Sequence, residues 1–243
     1  MQTDEGNPAV TTPEDLAWLG DARRRGFFGR LPDDLVRAAV RGAQREEFAP
    51  GAIGLRWEQG PKSAIVLRGT LRTYLAFPDG AQATVRYLKP GDMTGIFAQR
   101  QPALARGLLG IDRSELLFID GPRMKELSLV DPRFAWELVE EMTTILNATH
   151  RALYIRAFGS MRQRVVSTIV ERATAAGQLA SGRQVTGTQH ELAIAVGSVR
   201  EVVASILGTL KHEGLIDIRR GGVVIVDPER LVAEAQAVIG SAS

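Results

Sequence analysis

Residues Thr188 to Leu215 read TQHELAIAVGSVREVVASILGTLKHEGL. Two S/T-x-x-E signatures lie in this stretch, Thr188 before Glu191 and Ser198 before Glu201. Each predicts a helix start closed by a capping box, in which side chain and backbone satisfy each other's free N–H groups. The two starts are ten residues apart with Gly197 between them, which leaves room for one tight turn. That is the spacing of a helix-turn-helix. In the second helix Val199, Val202, Val203, Ile206, Leu207 and Leu210 form the stripe expected to be buried, while Arg200, Glu201, Ala204 and Ser205 fall on the other face. A helix laid in the DNA major groove presents its first residues to base edges. Arginine there takes guanine O6 and N7 together, and glutamate accepts from cytosine N4. Arg200, Glu201 and Ser205 are therefore the candidate base readers, although Glu201 suits the capping box equally well.

Working outward, Gly214 stops the second helix, and LIDIRRGGVVIVD predicts two strands around Arg219-Arg220-Gly221-Gly222, a hairpin wing with two cations near its tip. Those arginines meet phosphates or keep the tip soluble. Upstream, Gly159 ends one helix and Ser160 caps the next, a natural hinge. No acidic residue lies between Glu141 and Glu171, whereas Arg151, Arg156, Arg162 and Arg164 all fall there. Ser160, Arg162, Thr188, Gln189, Ser198, Arg219 and Arg220 are the candidates for contact with the DNA backbone.

Ahead of the hinge the pattern is helical from Pro132 to Phe158, and Val139, Met142, Leu146, Thr149 and Leu153 follow the alternating three and four spacing of a coiled-coil seam. This predicts a dimerisation helix, although a helix packed on its own domain shows the same stripe. Between residues 27 and 130 a short helix with Pro32 at its start precedes about seven short apolar segments broken by glycine and proline. Such runs predict an antiparallel β-sandwich or barrel, with a hairpin turning at Pro78-Asp79-Gly80. Residues 1–26 are polar, end in Arg23-Arg24-Arg25, and read as a solvated arm.

Composition limits the rest. The chain has 243 residues, 44% apolar and 24% charged, enough for two domains. It has no cysteine, so disulfides and thiolate-held metals or clusters are excluded and a cytoplasmic location is expected. No apolar run approaches the ~20 residues of a membrane span. Net charge is only +2, so a nucleic-acid partner must be argued from placement.

These residues resemble the Crp/Fnr family, the cyclic-AMP receptor and fumarate–nitrate regulators. The likeness runs through FFGRLPDDL, IVLRGTLRTYLAFPDGAQATVRYLKPGDMTG, the helix after LSLVDPRFAW, and TQHELAIAVGSVREVVASILGTLKHEGLI. It implies an α+β protein: an N-terminal β-roll sensor domain (27–130) of cyclic-nucleotide-binding-like jelly-roll type, a dimerisation helix (131–159), and a C-terminal winged helix-turn-helix (160–243). It also implies a homodimeric transcription factor on a palindromic promoter site, with RNA polymerase and a small-molecule effector as further partners, no cofactor and no membrane. Arg200 and Glu201 match the family's base-reading pair.

The sequence departs from the family pattern in the sensor pocket. Cyclic-nucleotide-binding members hold the ribose with a Gly-Glu pair and the cyclic phosphate with an Arg-Ser pair. Here the first position reads Gly95-Ile96 and the second falls near Leu104-Ala105. Without that glutamate and arginine a buried phosphate lacks its partners, so the expected regulator does not depend on cyclic AMP. Thr149 still matches the helix threonine that contacts the base, which keeps a nucleotide-responsive regulator with an altered pocket as the alternative. His150 is the one histidine near the sensor that haem ligation would need. A further alternative is a sensor module that has lost DNA binding. A cupin enzyme needs a histidine cluster in the roll, and none of the three histidines lies there.

Overall fold

The computed structural model describes residues 16–54, 62–76, 82–95 and 105–240. The chain divides into two compact units, one from the described parts of 1–72, 88–103 and 107–146, the other from those of 73–87, 104–106 and 147–243.

The first unit opens with α1 (Asp21–Arg24), α2 (Gly26–Arg30) and α3 (Asp33–Val40). The predicted solvated arm is corrected here from residue 16 onward. Leu16, Leu19 and Ala22 are buried, and Arg23 pairs with Asp33 while donating to the Phe28 carbonyl at 2.9 Å. Gly26, at φ +62, lies so close to Gly91 that a side chain there would collide with the Gly91 carbonyl, which instead accepts from Phe27 N at 3.3 Å. That contact needs glycine on both sides.

Among the described residues eight strands follow: β1 (Gln44–Phe48), β2 (Ile53–Gly54), β3 (Lys62–Arg68), β4 (Leu71–Ala76), β5 (Gln82–Leu88), β6 (Met93–Thr94), β7 (Ala105–Gly110) and β8 (Ser114–Asp120). They form two four-stranded sheets, in the orders β1-β8-β3-β6 and β2-β7-β4-β5. The central pair β3 and β8 is antiparallel, with Ile65 opposite Leu117 and Val66 opposite Leu116. Its two faces bury different sets. Ile65, Leu117 and Ile119 join Phe27, Phe28 and Phe134 in a core under the helices, and Ala64, Val66, Leu116 and Phe118 join Leu71, Leu88 and Leu108 in another. Burial on both faces explains why SAIVL and ELLFI read as continuous apolar runs rather than alternating ones. The turn at Pro78-Asp79-Gly80 lies outside the described residues. A helix α4 (Gly121–Val130) that the sequence reading did not assign packs on this unit through Met124 and Leu127. The long helix α5 runs Pro132–Phe158 as expected.

The second unit contains α6 (Met161–Ala175), β9 (Gln184–Thr186), α7 (Gln189–Val196), α8 (Arg200–His212), β10 (Ile216–Arg219), β11 (Gly222–Ile225) and α9 (Pro228–Gly240). The wing is a three-stranded sheet, β10-β11-β9, one strand more than expected. Val165, Ile169, Leu192, Val196, Val203, Leu207, Leu210, Ile216 and Val223 form its core.

Candidate nucleic-acid interface

Helix α7 is closed at both ends by local chemistry. Thr188 Oγ1 accepts from Glu191 N at 3.1 Å and Glu191 Oε2 accepts from Thr188 N at 3.0 Å, the predicted capping box. At the other end Gly197 takes the left-handed conformation, φ 68 and ψ 48, and Ser198 N donates back to the Ala193 carbonyl at 2.9 Å. This six-to-one bond is the Schellman arrangement. The two helices then cross at 107°, within the helix-turn-helix range.

The start of α8 differs from expectation. Ser198 is spent on the turn, so the N-cap moves to Val199 and no side chain caps the helix. The predicted Ser198–Glu201 capping box does not form. The buried stripe is also narrower than predicted. Val203, Leu207 and Leu210 are buried and Ile206 partly so, whereas Val199 is 58% and Val202 40% exposed. Arg200, Glu201 and Ser205 are exposed beside them. Arg200 shares one open cleft with Thr188, Gln189, His190, Arg219 and Gly221, so the turn, the reading helix and the wing face a common space.

The basic residues divide into free and engaged ones. Among the described residues no carboxylate pairs with Arg200 or Arg220, while Arg219 Nη2 lies 2.8 Å from Asp217 Oδ2. Arg162, expected to face phosphate, is turned inward: its Nε donates to Glu234 at 2.6 Å and its Nη1 to Glu213 at 2.8 Å. Two carboxylates hold its pKa above the ordinary arginine value, Glu234 contributing most. Arg162 is therefore a clamp joining α6 to the C-terminal end of α8 and the middle of α9. Ser160 caps α6 with Gln163 in a second capping box. A capping hydroxyl uses its oxygen as acceptor and keeps its proton to donate, so Ser160 and Thr188 remain competent toward phosphate.

Arg156 and Arg164, also read as part of a basic surface, act internally. Arg156 Nη2 donates to the Ala195 carbonyl at 2.9 Å and to the Thr84 carbonyl at 3.4 Å, and Arg164 Nη2 donates to the Arg156 carbonyl at 2.6 Å. A cation on the last turn of α7 satisfies a carbonyl that the helix leaves free and suits the negative end of its dipole. Glu171 lines the same small cavity as Arg156 and Ala195. Its burial pushes the carboxyl above the usual carboxylate range, with Arg151 and Arg156 partly offsetting the effect. Sequence reading missed this cluster. The acid-free stretch signalled basic character but not that Glu171, one helix later, lies among those arginines.

Residues 163–234 match the Crp-like helix-turn-helix domain. Through that domain, and along most of its length, the chain is similar to regulators of the Crp/Fnr family. It is 25% identical over 218 residues to the CRP-like cAMP-activated global transcriptional regulator of Mycobacterium tuberculosis, an alignment covering 88% of this chain and 97% of that one. The structure of a CRP-family transcriptional regulator from Thermus thermophilus matches with TM-score 0.60 at 27% identity, over 78% of this chain and 96% of the other. A Crp/Fnr-family regulator from Eubacterium rectale shares the fold, with TM-score 0.69 at 21% identity over 88% of this chain and 99% of its own. The Crp-like helix-turn-helix and the Crp-type relatives support a DNA-binding transcriptional regulator rather than an enzyme.

The α5 seam residues Val139, Met142, Leu146 and Leu153 are each at least half exposed, Thr149 is partly buried, and Trp136, which sequence reading left out, extends the stripe. Of the sensor-pocket candidates, Ile96 and Leu104 lie outside the described residues, Gly95 follows β6 with φ 76, Ala105 opens β7, and His150 is exposed on α5. No cluster of three or more potential metal ligands occurs among the described residues, and no single described helix is long and apolar enough to cross a membrane.

Proposed function

We propose that this regulator works as a homodimer on a two-fold symmetric promoter site and does not require cyclic AMP. Arg200, Glu201 and Ser205 read base edges, and Ser160, Thr188, Gln189, Ser198, Arg219 and Arg220 lie along the phosphates. Arg162 is left out of that set because two carboxylates already engage it. The observation that carries the reading is the open first turn of α8, where Arg200 and Glu201 are exposed and free of capping duty. An uncapped helix start also keeps backbone N–H groups available to a phosphate. Dimerisation is supported by the exposed α5 stripe, because a run of half-exposed Val, Met and Leu at coiled-coil spacing is an apolar surface that a second copy covers. Independence from cyclic AMP is supported by Gly95-Ile96, which offers no carboxylate to a ribose.

The test is selection from a random duplex pool by the purified protein, once without effector and once with cyclic AMP. The expected result is a symmetric motif in both, with half-sites about one helical turn, ~34 Å, apart. Enrichment only with cyclic AMP makes the protein nucleotide-responsive. No enrichment in either overturns sequence-specific reading.

A further inference from the structure

Two valines stand in the open on the helix that this reading places in the groove. Val199, the N-cap of α8, is 58% exposed, and Val202, in its first turn, is 40% exposed. A single exposed hydrophobe needs no explanation. Here the position carries the argument, because the two valines bracket Arg200 and Glu201. A duplex approaching closely enough to meet the arginine and the glutamate also covers both valines. Val199 is in extended backbone, φ −101 and ψ 155, so its side chain leaves the chain in a different direction from those of the helix that follows.

Covering valine against phosphate oxygens or base amides strips water from polar groups without replacing their hydrogen bonds, which is unfavourable. The major-groove edge of the four bases carries one apolar group, the C5-methyl of thymine. On the reading above, we infer that Val199 and Val202 are specificity-determining residues that recognise thymine methyl groups flanking the base pairs read by Arg200 and Glu201. The half-site then contains a hydrogen-bonded part, set by one arginine and one glutamate, and an apolar part set by the two valines. The small residues Ala204 and Ser205 on the next turn keep the helix backbone near the bases, which an apolar contact of short reach requires.

The experiment uses the duplex recovered by selection. Each thymine of the half-site is replaced in turn by deoxyuridine, which removes the methyl and leaves the pairing edge unchanged. Affinity is then measured for the wild-type protein and for Val199→Ser and Val202→Ser, whose folding is checked by thermal unfolding. The wild type is expected to lose about three- to five-fold at one or two thymines, the worth of one buried methyl. Each variant is expected to bind the normal duplex more weakly and to lose its sensitivity to one of those replacements. Wild-type affinity unchanged at every thymine, a half-site without thymine, or variants as sensitive as the wild type each overturn the inference while leaving DNA reading intact. A pool that yields no enriched duplex overturns both.

Discussion

The two helices of the reading unit begin in opposite ways. Helix α7 starts under a closed capping box from Thr188 and Glu191, whose carboxylate also lies 3.8 Å from Arg172, and it ends on the Arg156 guanidinium. Helix α8 starts on a valine with no side-chain cap. Closed ends suit a helix that serves as scaffold, since each satisfied terminal group fixes its position. An open start suits a helix whose first turn meets a ligand, because its free N–H groups and exposed side chains stay available to that ligand.

Substitutions test this contrast. The largest effect is expected from Arg200→Ala at the open start: a loss of roughly 5- to 150-fold on the selected duplex, the worth of a bidentate guanine contact, with weak salt-sensitive binding to random duplex retained. Equal loss on both duplexes breaks the contrast. Arg156→Ala is next. Removing a charged donor from the last turn of α7 is expected to destabilise the protein by about 1.5 kcal/mol in denaturant unfolding and to weaken specific binding without any direct DNA contact being lost. Thr188→Ala is expected to cost about 1 kcal/mol of stability, as for a working N-cap. Ser198→Ala, at the position with the same sequence signature, is expected to change stability by less than about 0.5 kcal/mol, and a cost like that of Thr188→Ala contradicts the observed start of α8.

A pH dependence beneath the closed end offers a further test. Burial raises the pKa of Glu171, so the folded protein holds that proton to higher pH than the unfolded chain does. The stability difference is absent in acid, below the ordinary carboxylate range, and the penalty grows as pH rises through the folded value. Glu171→Gln is therefore expected to raise the melting temperature near neutral pH by a few degrees, about 2–4 °C per kcal/mol for a chain of this size, and to leave it unchanged in acid. The paired surface carboxylates Glu213 and Asp217 behave oppositely. Their partners Arg162 and Lys211 lower their pKa values, so their contribution is lost as pH falls.

What the sequence determined by itself is what rests on neighbours along the chain. The Thr188 capping box, the tight turn at Gly197, the wing hairpin at Arg219 to Gly222 and the full span of α5 depend on residues a few positions apart, and all were legible. So was the choice of Arg200 and Glu201 as exposed residues. Tertiary structure decided where local signals competed or distant residues met. Ser198 carried a valid cap signature, but the same residue was needed to close the turn through Ala193, and one backbone position cannot serve both. Val202 looked buried by periodicity, and only the packing of α8 on its core showed that the stripe stops at Val203. Arg162 read as a free cation because Glu213 and Glu234, its partners, lie 51 and 72 residues away. Charge pairing depends on proximity in space, and separations of that length along the chain leave no periodic trace in the sequence.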